Sequence, residues 1–192
     1  MKRLVLLLGV ALPALALADG LHSQNTASLT ASGSGYSGVM SINQAAGDLH
    51  QQINGRALAI GEQAGAKLRY RQSNNAELPA VPLDATASIN GSAFSRGAGV
   101  LGVNQSAGVG NQQINAFRTS ISTRGESLDD SVLAQQSVAL PKSSGPAGSE
   151  AGRRIVNTDD RAFAGSSGVV QLNQSAGVGN RTVNTFSIRV AD

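Results

Sequence analysis

The 192-residue chain contains 23 Gly but no Cys and no Trp, and only 3% of its residues are aromatic. The absence of Cys excludes disulfides and thiolate metal sites, and so few large side chains fill a compact globular core poorly. Removing Lys2 and Arg3 from the 15 basic residues leaves 13 against 12 acidic ones, a net charge of +1, so no positive surface field supports nucleic-acid binding.

The N-terminus has the pattern of a secretory signal peptide. Lys2 and Arg3 precede a mostly apolar run over residues 4–17, and residues 16–18 supply the small-x-small cleavage pattern. The run is shorter than the roughly 20 apolar residues that a membrane span needs. We therefore predict a signal peptide over residues 1–18, export of the mature chain, and no integral membrane segment.

One 23-residue block occurs three times, beginning at Gly38, Gly99 and Gly168, so the starts lie 61 and 69 residues apart. The second and third blocks are identical at 12 of 23 positions, and the first and second at 11. A single block of this kind cannot bury its own apolar face and needs neighbouring copies to do so. The repetition predicts a stacked structural unit rather than a catalytic one.

Each block is numbered here from its opening Gly as position zero. Apolar residues alternate at +2 and +4 and again from +18 to +22, which is typical of strands. We predict strands at 37–44, 51–60, 98–106, 112–121, 167–175 and 181–190. Between them, Gly and Asn tolerate positive φ and predict an arc, less sharp in the first block with Asp48, Leu49 and His50. The predicted arc glycines are Gly47, Gly108, Gly110, Gly177 and Gly179.

A short lead-in strand precedes each block. Phe94 and Phe163 each lie five residues before the opening Gly, and Gly33 takes that place in the first copy. Stretches containing Pro, Gly and Ser separate the units and predict exposed linkers, the second of which is apolar enough at residues 131–140 for a short helix or strand. The expected organisation is a signal peptide (1–18), an N-terminal lead-in (19–37), repeat one (38–60), a linker (61–83), lead-in and repeat two (84–121), a linker (122–154), and lead-in and repeat three (155–192).

Identical amides recur at fixed block positions. If the repeats stack in register about 4.8 Å apart, each column of side-chain amides can hydrogen-bond along its own length. The apolar residues at +2, +4, +20 and +22 are expected to close the opposite face, and the open edges to template another molecule. The predicted stacking and assembly residues are Asn43, Asn104 and Asn173 at +5, Gln44, Gln105 and Gln174 at +6, Asn54, Asn115 and Asn184 at +16, and Phe117 and Phe186 at +18, where Arg56 interrupts the aromatic column.

These patterns predict an all-β fold of three imperfect strand–arc–strand repeats, stacked as a β-solenoid or as cross-β layers and joined by flexible linkers. Two functions remain open. The chain is either a secreted subunit that forms or nucleates fibres, or a monomeric secreted β-solenoid adhesin that binds a surface ligand. A secreted globular binding domain and intrinsic disorder are the remaining alternatives, the latter opposed by the regular alternation.

Chemistry-bearing residues are sparse. His22 and His50 lack the paired spacing of a metal or catalytic site. The acidic pairs at 129–130 and 159–160 lack the spacing of a calcium loop. The Gly-rich arc lacks the Lys-Ser/Thr ending of a phosphate-binding loop. We predict no catalytic residue, no metal, no cofactor and no enzyme activity.

The motif Gly-Val-x-x-Asn-Gln-Ser-Ala-Gly-Val-Gly-Asn-Gln-Gln-x-Asn resembles the imperfect repeats of the Fap-type functional amyloid subunits of Gram-negative bacteria, and more remotely those of curli. The blocks that carry it cover about 70 of the 192 residues. The resemblance implies export through the periplasm, passage across an outer-membrane pore, and self-association or co-assembly with a related fibre subunit. It also implies extracellular or cell-surface fibres that support biofilm and adhesion, with the repeated Asn, Gln, Ala and Gly as the amyloid core.

One departure from the family pattern concerns the role within a fibre. Fap subunits commonly carry a Cys-x-x-Cys pair near the C-terminus, and this chain has no Cys. Together with the divergent first repeat, this departure favours a minor component, a nucleator or a paralogous adhesin over the bulk subunit.

Overall fold

The computed structural model describes residues 22–62, 64–74, 82–123 and 152–191. The predicted signal peptide and the predicted element at 131–140 lie outside these residues. The described residues form strands, turns and extended segments with no helix, so none of them builds a helix capable of crossing a membrane. The all-β prediction is confirmed.

All six strands predicted within the blocks are present. The strands that follow the lead-ins run three or four residues further than predicted, because the Ala-Gly pair continues the strand pairing instead of turning the chain. The elements are β1 (Ser23–Thr30), β2 (Ser37–Asp48), β3 (Gln51–Gly61), β4 (Leu83–Asn90), β5 (Ala98–Val109), β6 (Gln112–Ser122), β7 (Arg154–Thr158), β8 (Ser167–Val178) and β9 (Arg181–Ala191).

The strands form three parallel three-stranded sheets, ordered β1-β4-β7, β2-β5-β8 and β3-β6-β9. We call the three consecutive strands of one repeat a rung, so that each rung contributes one strand to every sheet. Pairing joins equal block positions, as in Gly38 with Gly99 and Gly99 with Gly168. The repeats therefore stack in chain order, in register, with the second rung in the middle.

The sheet β2-β5-β8 lies between the other two, and its alternating side chains enter two different seams. The apolar seam, against β1-β4-β7, is filled by buried aliphatic and aromatic side chains such as Ile89, Phe94, Leu101 and Val103. It continues through a cluster of small residues around Ala107. Burial of these apolar side chains between the two sheets is the main apolar contribution to the stability of the fold.

The amide seam, between β2-β5-β8 and β3-β6-β9, is polar throughout its centre. Asn104, Ser106, Gln113 and Asn115 all have 0% exposed surface there. Polar groups of this kind are tolerated in an interior only when they are hydrogen-bonded. The two seams thus differ in the force that closes them.

The apolar residues at +20 and +22 do not close a face together with those at +2 and +4. The +2 and +4 residues lie in the apolar seam, whereas Leu58 is 67% and Ile60 69% exposed at the far end of β3. That prediction is wrong because the two sets belong to different sheets. Alternation identifies the face of a strand but not the sheet that covers it.

The turns between the first and second sheets explain why the first copy has Gly where the others have Phe. Phe94 and Phe163 adopt φ of 58° and 61°, and their rings stack at 5.4 Å. Gly33 has φ of 66°, and a Cβ built there would lie 2.7 Å from the Phe94 ring. The first rung therefore keeps the left-handed turn, and the absence of a side chain at Gly33 makes room for the Phe94 ring of the second rung.

The arc of the first repeat is as tight as the other two, contrary to prediction. Leu49 takes φ of 59° where Gly110 has 69° and Gly179 has 67°. His50 Nε2 lies 3.1 Å from the Ala46 carbonyl, and in the two later arcs Asn111 and Asn180 make the equivalent contact with the carbonyls of Ala107 and Ala176. A non-Gly residue in this conformation costs of order 1 kcal/mol, and the paired strands on both sides of the arc hold Leu49 in it.

Candidate assembly interface

The Asn column at +5 runs along the stack and is also tied across the amide seam. Asn104 Nδ2 donates to Asn43 Oδ1 at 3.0 Å and to the Ile53 carbonyl at 2.8 Å. Asn173 Nδ2 repeats this one rung later, with Asn104 Oδ1 at 3.0 Å and the Ile114 carbonyl at 2.9 Å. Each amide therefore bonds both along the column and to the facing sheet.

The Asn column at +16 faces the first column and interlocks with it. Asn115 Nδ2 lies 3.1 Å from Asn54 Oδ1 and 3.0 Å from Asn104 Oδ1. Asn184 Nδ2 continues the column to Asn115 Oδ1 at 3.2 Å and crosses to Asn173 Oδ1 at 2.9 Å. Because Asn104 and Asn115 are fully buried, the hydrogen bond between them is made without competition from water.

The Gln column at +6 lies on the other side of the middle sheet, facing the lead-in strands. Gln105 Nε2 donates to Gln44 Oε1 at 2.7 Å and to the Ser88 carbonyl at 2.9 Å. Gln174 Nε2 donates to Gln105 Oε1 at 2.8 Å and to the Ala87 carbonyl at 3.0 Å. The lead-in sheet thus serves as the acceptor surface for this column.

A further Gln column at +14 was not predicted. Gln52 Nε2 donates to Gln113 Oε1 at 2.9 Å, and Gln113 Nε2 to Ser175 Oγ at 3.1 Å. The signal was present in the sequence as Gln at +14 in two copies and Ser at +7 in two copies. Thr182 ends this column, and its hydroxyl is buried without a hydrogen-bond partner among the described residues.

The aromatic column at +18 consists of two rings and one guanidinium. Phe117 and Phe186 stack with centroids 5.8 Å apart and an interplanar angle of 4°. Arg56 pairs with Phe117 in the strand register, and its Nη1 donates to the Gly55 carbonyl. Burial lowers the pKa of the Arg56 guanidinium, while the nearby Tyr70 phenol acts in the opposite direction. Arg56 therefore interrupts the ring column, as predicted.

Part of the first linker is held against the stack. We call residues 64–74 the strap. Gln72 is buried, and its Nε2 donates to the carbonyls of Gln51 and Gln113, at 3.1 and 3.2 Å. Ser120 donates from the second rung to the Ala64 carbonyl. The strap covers the outer face of β3 and β6, so this part of the linker is not a free loop.

The predicted arc glycines divide into two groups. Gly110 and Gly179 lie in the arcs, whereas the glycines at +9 lie inside the strands, against the backbone of the neighbouring rung. A Cβ on Gly108, which has φ of 115°, would lie 1.9 Å from the Gly177 carbonyl oxygen. At +9 the requirement for Gly is therefore the combination of positive φ and backbone contact between rungs.

Among the described residues, no strand pairs with the outer edges of the first and third rungs. The first rung exposes the edges of β1, β2 and β3, and the third exposes those of β7, β8 and β9. Apolar side chains accompany the third-rung edge, where Val170, Val183 and Phe186 are each 40% exposed. Open parallel edges with repeated side-chain columns are templates for further strands. The described residues bring together no group of three or more potential metal ligands.

No solved structure matches the chain. The family model described as the functional amyloid protein FapB/FapC family matches residues 13–191. The in-register amide columns and open edges are the features on which an amyloid subunit depends. The chain belongs to the FapB/FapC family of functional amyloid proteins.

Proposed function

We propose that the protein is a secreted subunit of an extracellular functional amyloid fibre, as a structural or nucleating component that supports biofilm and adhesion, and that it has no enzyme activity. Export through the periplasm and an outer-membrane pore brings it to the cell surface, where it self-associates or co-assembles with a related subunit. The carrying observation is that equal block positions pair within the sheets, while no described strand covers either end of the stack. A rung of another molecule meets the same groups as a rung of this one.

The amide columns give this proposal its chemistry. Every position that stacks on its own kind within the chain, at +5, +6 and +16, reaches the end of the stack with an amide that can bond again. The role of these residues in assembly is therefore the extension of ladders that already exist inside one molecule. The divergent first repeat and the missing Cys support a minor or nucleating component rather than the bulk subunit.

The test is assembly of the chain from residue 19 onward at micromolar concentration. We expect thioflavin-positive fibres with a meridional cross-β spacing of about 4.8 Å. Leu172→Pro, in an edge strand, should abolish assembly because proline removes a ladder hydrogen bond, whereas Ser144→Pro in the second linker should not. Monomers that persist in sedimentation, with or without seeds, would instead support the monomeric adhesin.

A further inference from the structure

The amide columns have a direction. At +5, +6 and +16 every side-chain nitrogen donates to the oxygen one rung earlier, for example from Asn173 to Asn104 and from Asn104 to Asn43. Bonds to backbone carbonyls of the neighbouring sheet fix each amide in this orientation. The first rung therefore ends in donors and the third in acceptors. The +14 column runs the other way but ends at Thr182, whose hydroxyl can do either.

This direction selects one way of joining two molecules. A first rung placed on a third rung sets donors against acceptors and keeps all strands parallel and in register. Two first rungs, or two third rungs, would meet with like groups opposed and strands antiparallel. The favoured contact joins unlike surfaces and does not close, so it propagates as a filament.

The register of that joint places charged residues opposite each other that never meet inside the molecule. Asp48 occupies the column of Val109 and Val178, so in the joint it lies over Val178. Arg154 lies beside this position, because its Cδ would be 2.9 Å from a Cβ on Gly177. Both side chains are exposed in the single molecule.

Asn25 shows how far a side chain in the Arg154 column reaches. Asn25 and Arg154 occupy the same column through Ala85. Asn25 Nδ2 donates to the carbonyl of Gly108, which pairs with Gly47 in the strand register and lies one rung above it. By the same geometry, the longer Arg154 side chain extends one rung further, to Gly47 of the next molecule. Asp48 of that molecule is the residue directly after Gly47.

From this geometry, and resting on the proposed fibre function, we propose that a second copy of this chain docks with its first rung on the third rung through a charged joint. Asp48 of one molecule pairs with Arg154 of the other. Arg56 of the same incoming rung lies over the exposed Phe186 ring, where a guanidinium within about 6 Å of the ring centre is attracted to its face. Inside the chain Arg56 already pairs with Phe117, whereas Asp48 and Arg154 meet at neither internal joint, so the charged pair gives the joint between molecules its own specificity.

The test uses charge exchange in the full chain and measures fibre elongation on sonicated seeds. Asp48→Arg and Arg154→Asp each place like charges in the joint and should slow elongation about five- to tenfold at low salt. The double variant restores an opposite pair, so it should elongate on its own seeds at the wild-type rate, whereas its first addition to wild-type seeds should be as slow as that of the single variants. Lys67→Asp changes the net charge as Arg154→Asp does but lies on the strap, and it should elongate normally.

The cross-seeding result separates this joint from a general folding defect, because a misfolded double variant would not elongate on its own seeds either. The difference between self- and cross-seeding should shrink in about 1 M salt, where charges are screened beyond about 3 Å. A double variant that elongates equally well on both kinds of seed would overturn the charged joint and leave the fibre function intact. Wild-type protein that never forms fibres would overturn the fibre function itself, and the joint with it.

Discussion

Exchanging Asn173 for Asp should disturb the stack far more than the same change at Asn43. The Asn173 side chain is only 4% exposed, and its Nδ2 lies 2.9–3.0 Å from three acceptor oxygens, those of Asn104, Asn115 and the Ile114 backbone. A carboxylate oxygen in that place faces three acceptors and no donor. The Asn173 amide has two N–H groups, so two lost bonds at about 1 kcal/mol each, with a buried charge added, give a destabilisation of about 3–5 kcal/mol.

Asn43 occupies the same column at the exposed end. Its Oδ1 accepts from Asn104 and Asn54, and a carboxylate keeps both of these bonds. Among the described residues, its Nδ2 makes one hydrogen bond, to the Gln52 carbonyl at 3.5 Å. Within the single molecule, the expected cost of Asn43→Asp is therefore below about 1 kcal/mol.

The assay is the lag time of thioflavin fluorescence, unseeded and seeded, with Gln174→Lys against Gln44→Lys as the second matched pair. We expect the third-repeat variants to lengthen the lag by tenfold or more, since about 1.4 kcal/mol corresponds to a factor of ten. The first-repeat variants should lengthen it less, because they leave the stack inside the molecule intact and disturb only the joint between molecules. Burial beside acceptors raises the pKa of the carboxyl introduced by Asn173→Asp, so its penalty should fall as the pH falls below that raised pKa. Equal effects in the two repeats would refute the ranking, and no effect in either would remove the amide columns from the mechanism.

Three further predictions concern other parts of the stack. Gly108→Ala should lower the free energy of unfolding in urea by about 3 kcal/mol or more, because the residue has positive φ and its Cβ would clash with the backbone of the next rung. Gly61→Ala, where a Cβ would meet nothing within 4 Å, should be neutral, and equal unfolding midpoints for the two variants would contradict the close approach at Gly108. Arg56→Phe should extend the ring column and shift the midpoint upward, and a downward shift would show that the guanidinium is needed there. Hydrogen bonds from Arg161 lower the pKa of Asp159, so its stabilisation is complete above the ordinary value of 3.8 and is lost as the pH falls further. Asp159→Asn should abolish this acid-induced change in hydrogen exchange of the turn at 159–166, and a change that persists would assign it to another group.

Much of the fold follows from the repeated blocks. Alternation at +2 and +4 locates the strands, and identical Asn at +5 and +16 predicts columns that the structure contains. The lead-in strand of the first copy also had a signal, since residues 26–29 read Thr-Ala-Ser-Leu where residues 86–89 read Thr-Ala-Ser-Ile. Repetition predicts register well because a one-residue slip would place every side chain on the wrong face.

The three-layer arrangement could not be obtained in the same way. Period-two alternation assigns Leu101 and Asn104 to opposite faces of a strand but does not say which sheet covers each face. The strap lies outside the repeated blocks, so nothing in the repeat pattern marks Gln72 as buried. Leu49 was misjudged because local preference against positive φ is overruled by the strand pairs on both sides of the arc.

The unequal length of the paired strands has a mechanical consequence. A pull along the stack axis loads the bonds of all three sheets at once, so a joint between rungs is strong in tension. Between the second and third rungs, β5 pairs with β8 over 12 positions and β6 with β9 over 11, but β4 pairs with β7 over only 5. Under bending, a crack between rungs therefore starts at β7, where the fewest bonds resist it, and a fibre built from such rungs peels from its lead-in side long before it snaps across.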